Sequence, residues 1–286
     1  MERQTGDRIN DTGIFWRHEA HRPWIPAGDR ASQGMGTRGR FAGCNLLSPD
    51  PGRSAGFYAE VFGWRARLDG SGGVQKWLLE HDGTPVGTVL GPVDGLADRS
   101  TWVPAVTVDL PERRAEKAAS MGGEPLEPAV EVPRFGRLSL VVDPHGALVA
   151  PVRPAAPAER RDPPKRSVVG DFTWHELLTP DPERSIRFYQ DLFDWGTKQR
   201  ELEGETYRMF HTQNQEIAGI VPLETAGLGS SSWVSYLKVA DAVGAAHRVA
   251  NLGGDVLLEP VELHTVGLYA LLIDPLGAQF GIIEPM

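Results

Sequence analysis

Residues 172 to 195 read FTWHELLTPDPERSIRFYQDLFDW, and residues 41 to 64 read FAGCNLLSPDPGRSAGFYAEVFGW. Each stretch begins with an apolar run, sets Asp beside Pro, and continues with apolar residues at helical spacing, such as Ile186, Tyr189 and Phe193. The pattern predicts a strand, a cap and a helix. Asp181 can accept the free amides of the first turn, and Pro182 sits where a missing N–H costs nothing. Asp50 and Pro51 repeat the arrangement.

Other landmarks recur at the same offset of 131 residues. Trp102 matches Trp233, MGGE at 121–124 matches LGGD at 252–255, and DPHGA at 143–147 matches DPLGA at 274–278. The chain is therefore a tandem duplication, and each copy is expected to fold as a unit. The expected division is an N-terminal tail at 1–37, a first domain at 38–152, a Pro-rich linker at 153–168 and a second domain at 169–286. The polar tail has the composition of a disordered segment. It also carries Phe15, Trp16 and Trp24, aromatic anchors of the kind a short arm docks with.

Halfway through each copy the pattern restarts. In the second, WVSYLKVAD reads as a strand, AVGAAHRVANLGG as a helix stopped by glycine, and DVLLEP, GLYALLID and AQFGIIE as strands. Each copy is then two βαβββ units, an α+β fold. A four-stranded sheet with one helix leaves a face bare, so the two units are expected to curl around a shared concave cavity.

The 286 residues suffice for two cores. Twenty-nine Lys and Arg against thirty-eight Asp and Glu give a net charge of -9, which argues against nucleic acid or an anionic membrane as partner. A small, largely uncharged organic ligand fits better, bound by a monomer or homodimer. No apolar run approaches the ~20 residues of a membrane span, and the first residues lack a secretory pattern, so a cytoplasmic location is expected. Cys44 lies in an apolar run and reads as a small buried hydrophobe.

The series of strand, xPDPxxSxxFYxxxFxW, W-V strand, GG and DPxGA resembles the vicinal oxygen chelate superfamily, also called the glyoxalase, bleomycin-resistance and extradiol-dioxygenase fold. The likeness is greatest to two-domain actinobacterial members and covers about 41–152 and 170–286. Such a resemblance implies the fold, while the superfamily hosts lyases, epimerases, dioxygenases, thiol transferases and drug binders. Its metal-dependent members place a His, Gln or Glu seven residues before the capping Asp, and a Glu seven residues after the Asp of DPxG. Here those positions hold Trp174 and Gly281 in the second copy, and Gly43 and Ala150 in the first. A third position, near the start of the WVSY strand, falls on Val234 and Val103. None of these side chains can hold a divalent cation, so neither metal nor other cofactor is expected. His175, Glu176, His211, His264 and Glu284 have no metal-site spacing.

If Trp174 stands at the family's cavity-facing position, strand alternation turns Glu176 into the same cavity and His175 away from it. A carboxyl group there loses hydration, a condition under which it can act as general acid or base near neutral pH. Equally, it can bond its neighbours and only organise the site. The matching residue in the first copy is Asn45, which can bind but not move a proton. Chemistry is therefore expected in the second copy, with the first a structural partner. Tyr236 shares the face of Val234 and offers a phenol to a ligand oxygen, or else is a core tyrosine with a polar tip. His211 and His264 complete the catalytic candidates as proton carriers, unless they are ordinary surface histidines. Candidate ligand contacts are Trp174, Asn45, Tyr207, Tyr269, Trp233 and Phe280, although Trp233, like Trp102, also suits packing between units.

P-loop and HExxH motifs do not occur; the strings GMGTRG at 34–39 and GRSAG at 52–56 match GxGxxG and GxSxG, but the first precedes the expected strand and the second lies inside the expected helix, so neither has the strand-to-helix turn its motif requires. The expected function is metal-independent acid–base chemistry on a small apolar metabolite: isomerisation, dehydration or cyclisation. Two alternatives stand beside it, a protein that sequesters an antibiotic or metabolite, and a metal-using lyase or dioxygenase with displaced ligands.

Overall fold

The computed structural model describes residues 38–286 except 71–75, 94, 95, 97, 99, 127, 133, 134, 156–168, 203, 204, 227–229, 264 and 265. The N-terminal tail, most of the linker and His264 lie outside the described residues.

The first copy runs β1 (Phe41–Leu47), α1 (Pro51–Phe62), β2 (Arg65–Asp69), β3 (Lys76–His81), β4 (Thr84–Leu90), β5 (Thr101–Thr107), α2 (Pro111–Ser120), β6 (Glu124–Pro125), β7 (Val130–Val132), β8 (Gly136–Leu138), β9 (Val141–Val142) and β10 (Leu148–Pro154). The second runs β11 (Phe172–Thr179), α3 (Pro182–Phe193), β12 (Gly196–Leu202), β13 (Glu205–Thr212), β14 (Gln215–Pro222), α4 (Leu223–Ala226), β15 (Ser232–Lys238), α5 (Ala242–Asn251), β16 (Asp255–Leu263), β17 (Gly267–Ile273) and β18 (Gln279–Pro285). Strand β10 carries the first sheet to Pro154, two residues into the stretch expected to be linker.

The repeated Asp-Pro pairs start helices as their chemistry requires. Asp50 and Asp181 each accept an amide three residues on, from Arg53 and Arg184, both at 3.0 Å. Helix α1 ends on Gly63 in the left-handed region, φ 70°. Helix α3 ends the same way on Asp194, φ 59°, whose carboxylate is held at 3.1 Å by Arg114 of the first copy.

Each copy forms one curled mixed sheet. The orders are β2-β3-β4-β1-β5-β10-β8-β7, with β6 and β9 paired alongside, and β12-β13-β14-β11-β15-β18-β17-β16. The two βαβββ units of a copy meet through their first strands, β1 antiparallel to β5 and β11 antiparallel to β15. Two apolar clusters fill the hollows of the sheets, one around Val103, Phe135 and Leu138, the other around Trp174, Tyr236 and Tyr269. Two more lie between the copies. In one, Tyr58 and Trp64 meet Ala245, Val249 and Phe280; in the other, Phe41 and Ala118 meet Tyr189, Trp195 and Trp233. Burial of each such large side chain contributes about 1.5–3 kcal/mol, so separating the copies would forfeit much of the core.

The landmarks at offset 131 meet across this boundary. Trp102 Nε1 donates to the Tyr58 hydroxyl at 2.8 Å, and that hydroxyl donates to Asp274 Oδ2 of the other copy at 3.1 Å. Trp233, Tyr189 and Asp143 mirror this chain at 2.9 and 3.0 Å. The second oxygen of each Asp closes the DPxGA turn: Asp274 Oδ1 accepts the amides of Leu276 and Ala278 at 2.9 and 2.8 Å. FY, W and DPxGA are thus parts of one device that joins the copies.

This placement corrects two expectations. Trp233 and Phe280 do not line the second hollow; both face the inter-copy core. The reason is strand alternation. Val234 and Tyr236 of β15 and Ile283 of β18 point inward, so Trp233 and Phe280, odd steps away, point outward.

Candidate functional site

The second hollow is built on β11, β13, β14 and β15. Trp174 lies opposite Tyr236 in the β11–β15 ladder, and Glu176 lies opposite Val234 on one side and Gly219 on the other. Inward alternation of β11 brings Trp174, Glu176 and Leu178 onto one face. Glu176 is 0% exposed. Its Oε2 accepts the Tyr236 hydroxyl at 2.7 Å, its Oε1 accepts the Tyr207 hydroxyl, and Trp174 Nε1 donates to the Tyr207 oxygen at 3.3 Å. Tyr269 packs in the same cluster. The structure therefore brings five of the expected residues together: Glu176, Tyr236, Trp174, Tyr207 and Tyr269.

Two glycines make this possible. A Cβ at Gly219 would overlap the Tyr207 hydroxyl, and one at Gly281 would overlap the Tyr236 ring. Burial, then the charge of Glu176 and the bond to it, push the Tyr236 phenol well above its ordinary range. It keeps its proton, and stands as a neutral hydrogen-bond donor beside the carboxyl group.

Two features were not read from the sequence: the pairing of Tyr207 with Glu176, and the need for Gly219. A signal existed in the offset of 131. The first copy has Lys76 where the second has Tyr207, Thr88 for Gly219, Ala105 for Tyr236 and Asn45 for Glu176, four differences at the positions that surround Glu176 in the second hollow. Asn45 is also fully buried on the inward face of β1, where its Oδ1 accepts from the Thr88 hydroxyl.

Of the described histidines among the candidates, His211 stands at the end of β13 and His175 on β11. His211 lies near the end of β13 and packs its ring on Gly196 at the base of the β12–β13 hairpin, with Glu216 as its ladder neighbour. Burial, then Lys198, lower its pKa against the opposing pull of Glu216. β13 pairs with β12 without a break, so strand alternation keeps His211 on the face of Tyr207 and Met209, two residues beyond Met209 at the strand's end; the bulge beside it leaves its extra residue, Ile217, on β14. His175 points away from the hollow, as alternation requires. It stacks on Phe41 at 4.0 Å between ring centroids, and its Nδ1 shares a hydrogen bond of 3.0 Å with Ser235. Ser235 Oγ also accepts from Cys44 Sγ at 3.3 Å.

The metal that the resemblance implies in other members has no donors here. Trp174, Val234 and Gly281 occupy the relevant positions, the space beside Gly281 is filled by the Tyr236 ring, and both oxygens of Glu176 are engaged by phenols. Among the described residues, no group of three or more His, Cys, Asp or Glu is arranged to hold an ion. These residues do not fit a divalent cation.

No protein-family profile matches the chain. It is 28% identical over 248 residues to CFP32 of Mycobacterium tuberculosis, named as a glyoxylase, covering 84% of this chain and 93% of that protein. It is 28% identical over 254 residues to the anthracycline biosynthesis protein DauV of Streptomyces, covering 84% and 91%. Among solved structures, it shares its fold with the Mn(II)-bound glyoxalase of Novosphingobium aromaticivorans, at TM-score 0.57 and 14% identity, covering 91% of this chain and 85% of the other. It shares it also with 2,2',3-trihydroxybiphenyl 1,2-dioxygenase of Sphingomonas wittichii, at TM-score 0.57 and 13% identity, covering 87% and 92%. Among the described residues, no helix is long and apolar enough to cross a membrane. Two copies of paired βαβββ units, joined through their first strands, give this chain the tandem two-domain fold of vicinal oxygen chelate proteins, and it resembles such proteins over most of its length.

Proposed function

We propose that the chain is a metal-independent acid–base enzyme acting on a small, largely apolar organic molecule that bears a carbonyl or phenolic oxygen. The observation that carries this reading is a fully buried carboxyl group, Glu176, with both oxygens bonded to phenols in an otherwise aromatic and aliphatic hollow. When a ligand displaces one phenol from the carboxylate, Glu176 can take a proton from carbon next to the carbonyl. Tyr236, a neutral donor, turns to the oxygen on which negative charge develops. Return of the proton to another carbon completes an isomerisation; departure of a β-hydroxyl as water, with the proton Glu176 had taken, gives dehydration; attack of the enolate carbon on a second carbonyl of the same molecule, whose oxygen takes that proton, gives an aldol cyclisation. The second domain holds this site and the first braces it. Similarity to an anthracycline biosynthesis protein supports a polycyclic, oxygen-bearing substrate.

The test is exchange of carbon-bound hydrogen in heavy water, followed by NMR, over a panel of bicyclic and tricyclic ketones beginning with 1-tetralone. The proposal expects at least one ketone to exchange faster than in buffer. No acceleration with any of them would contradict it.

A second reading is sequestration, and one observation favours it: the carboxylate's two partners already satisfy it. Tight binding of a ketone from the panel, with exchange at the buffer rate, would select this reading.

A further inference from the structure

The two oxygens of Glu176 are held differently. On one side, Oε1 accepts from the Tyr207 hydroxyl, and that hydroxyl in turn accepts from Trp174 Nε1 at 3.3 Å. On the other, Oε2 accepts from Tyr236 at 2.7 Å. Tyr207 is therefore bonded in both directions, between an indole that is 1% exposed and a carboxyl group that is 0% exposed.

The sheet fixes this arrangement. Trp174 and Glu176 share the inward face of β11, two residues apart, and Gly219 lies beside Glu176 on β14. Met209 of β13 lies beyond Gly219, and Tyr207 stands two residues from Met209 on the same face. Two strand spacings of about 4.8 Å and two residues of rise at about 3.3 Å put the Cα atoms of Glu176 and Tyr207 roughly 12 Å apart. The side chains close that gap by crossing Gly219, where a Cβ would overlap the Tyr207 hydroxyl and come within 3.1 Å of Glu176 Cγ. The first copy has Gly43 and Lys76 at the positions of Trp174 and Tyr207, and Asn45 at that of Glu176, so it holds neither this tether nor the acid.

We propose that Trp174 and Tyr207 are positioning residues, a tether that holds Oε1 of Glu176 so that Oε2, on the Tyr236 side, is the oxygen that takes the substrate's proton. The proposal rests on the acid–base reading of Glu176 and says which phenol gives way to the ligand. For Tyr207 to leave, the bond it makes and the bond it accepts must both break, and buried partners left unpaired are costly. A turn of Tyr236 exchanges its bond to Oε2 for one to the substrate oxygen. The carboxylate is then open at one atom and fixed at the other, which keeps its reach to the reacting carbon. Trp174 and Tyr207 act through Glu176 and need not touch the reacting atoms.

Hydrogen exchange into the most responsive ketone of the panel separates positioning from binding. Trp174→Phe and Tyr207→Phe are each expected to lower kcat about tenfold with KM changed less than about twofold. The double variant should be about as slow as Tyr207→Phe, since the indole acts through the phenol. A raised KM at unchanged kcat would make the two residues ligand contacts and overturn the proposal, and so would losses that multiply in the double variant. A second readout needs no ligand. In nitrogen–proton NMR spectra of the full chain, the Nε1–H resonance of Trp174, identified by its loss in Trp174→Phe, should move in Tyr207→Phe. It should move also in Glu176→Gln, where the charge to which Tyr207 donates is gone. A resonance that stays in place in either variant overturns the tether, whatever the ketones do. Movement in both, with no ketone exchanging, would instead overturn the acid–base reading and the kinetic role that rests on it.

Discussion

Tyr189 of the second copy donates its phenolic hydrogen to Asp143 of the first at 3.0 Å, and Tyr58 and Asp274 make the reciprocal bond at 3.1 Å. Each tyrosine is fully buried and accepts from a tryptophan as well; removing the Tyr189 hydroxyl strands Trp233 and Asp143 Oδ2, whereas removing that of Tyr58 strands Trp102 but leaves Asp274 Oδ2 the Ser100 hydroxyl at 3.4 Å. Tyr58→Phe and Tyr189→Phe are each expected to destabilise the protein by about 1–3 kcal/mol in urea unfolding. The loss should be the larger for Tyr189→Phe, because Asp274 keeps the Ser100 hydroxyl when Tyr58 is changed. An unchanged midpoint in either variant would show that the relay does not hold the copies together.

Stability should fall in mild acid because of His175. Burial lowers its pKa from 6.5 to about 3, so between those values the unfolded chain binds a proton that the folded chain does not. More protons bound when unfolded means stability rising with pH, hence a loss as pH drops below 6.5. At pH 5 the loss is about 2 kcal/mol. Asp143 and Asp274, raised chiefly by burial, act with the opposite sign, being more stable folded when protonated. A comparison of wild type with His175→Phe cancels their contribution. The variant, which preserves the ring stack on Phe41, should lose less stability between pH 7 and pH 5. Parallel pH profiles would contradict this assignment.

Cys44 is 0% exposed, and burial pushes its thiol up to about 12 against the smaller opposing effect of Ser235. Thiolate is the reactive form, so the native protein should resist a thiol-specific reagent at pH 8 and react with one equivalent once denatured. Rapid stoichiometric labelling of native protein would count against the inter-copy packing described for β1 and β11.

Much of the fold could be read from the sequence because its carriers are local. Asp50 and Asp181 cap their helices where the Asp-Pro spacing puts them, and the offset of 131 exposes the duplication. Inward placement of Glu176 and Tyr236 followed from strand alternation once the resemblance had set Trp174 and Val234 at cavity-facing positions. The same rule, applied one residue further, would have turned Trp233 and Phe280 outward. What the sequence could not supply was contact between distant strands: the Tyr207 hydroxyl reaching Glu176 depends on Gly219, on a third strand.

The central claim is that the Glu176 carboxyl group moves a proton. Its most direct test is deuterium exchange into the best ketone of the panel by Glu176→Gln beside wild type, with thermal midpoints measured on the same samples. Gln keeps the shape and can still bond both phenols, so the midpoint should move little while the enzyme-dependent exchange falls about a hundredfold or more. A variant that exchanges as fast as wild type, at an unchanged midpoint, would contradict the account.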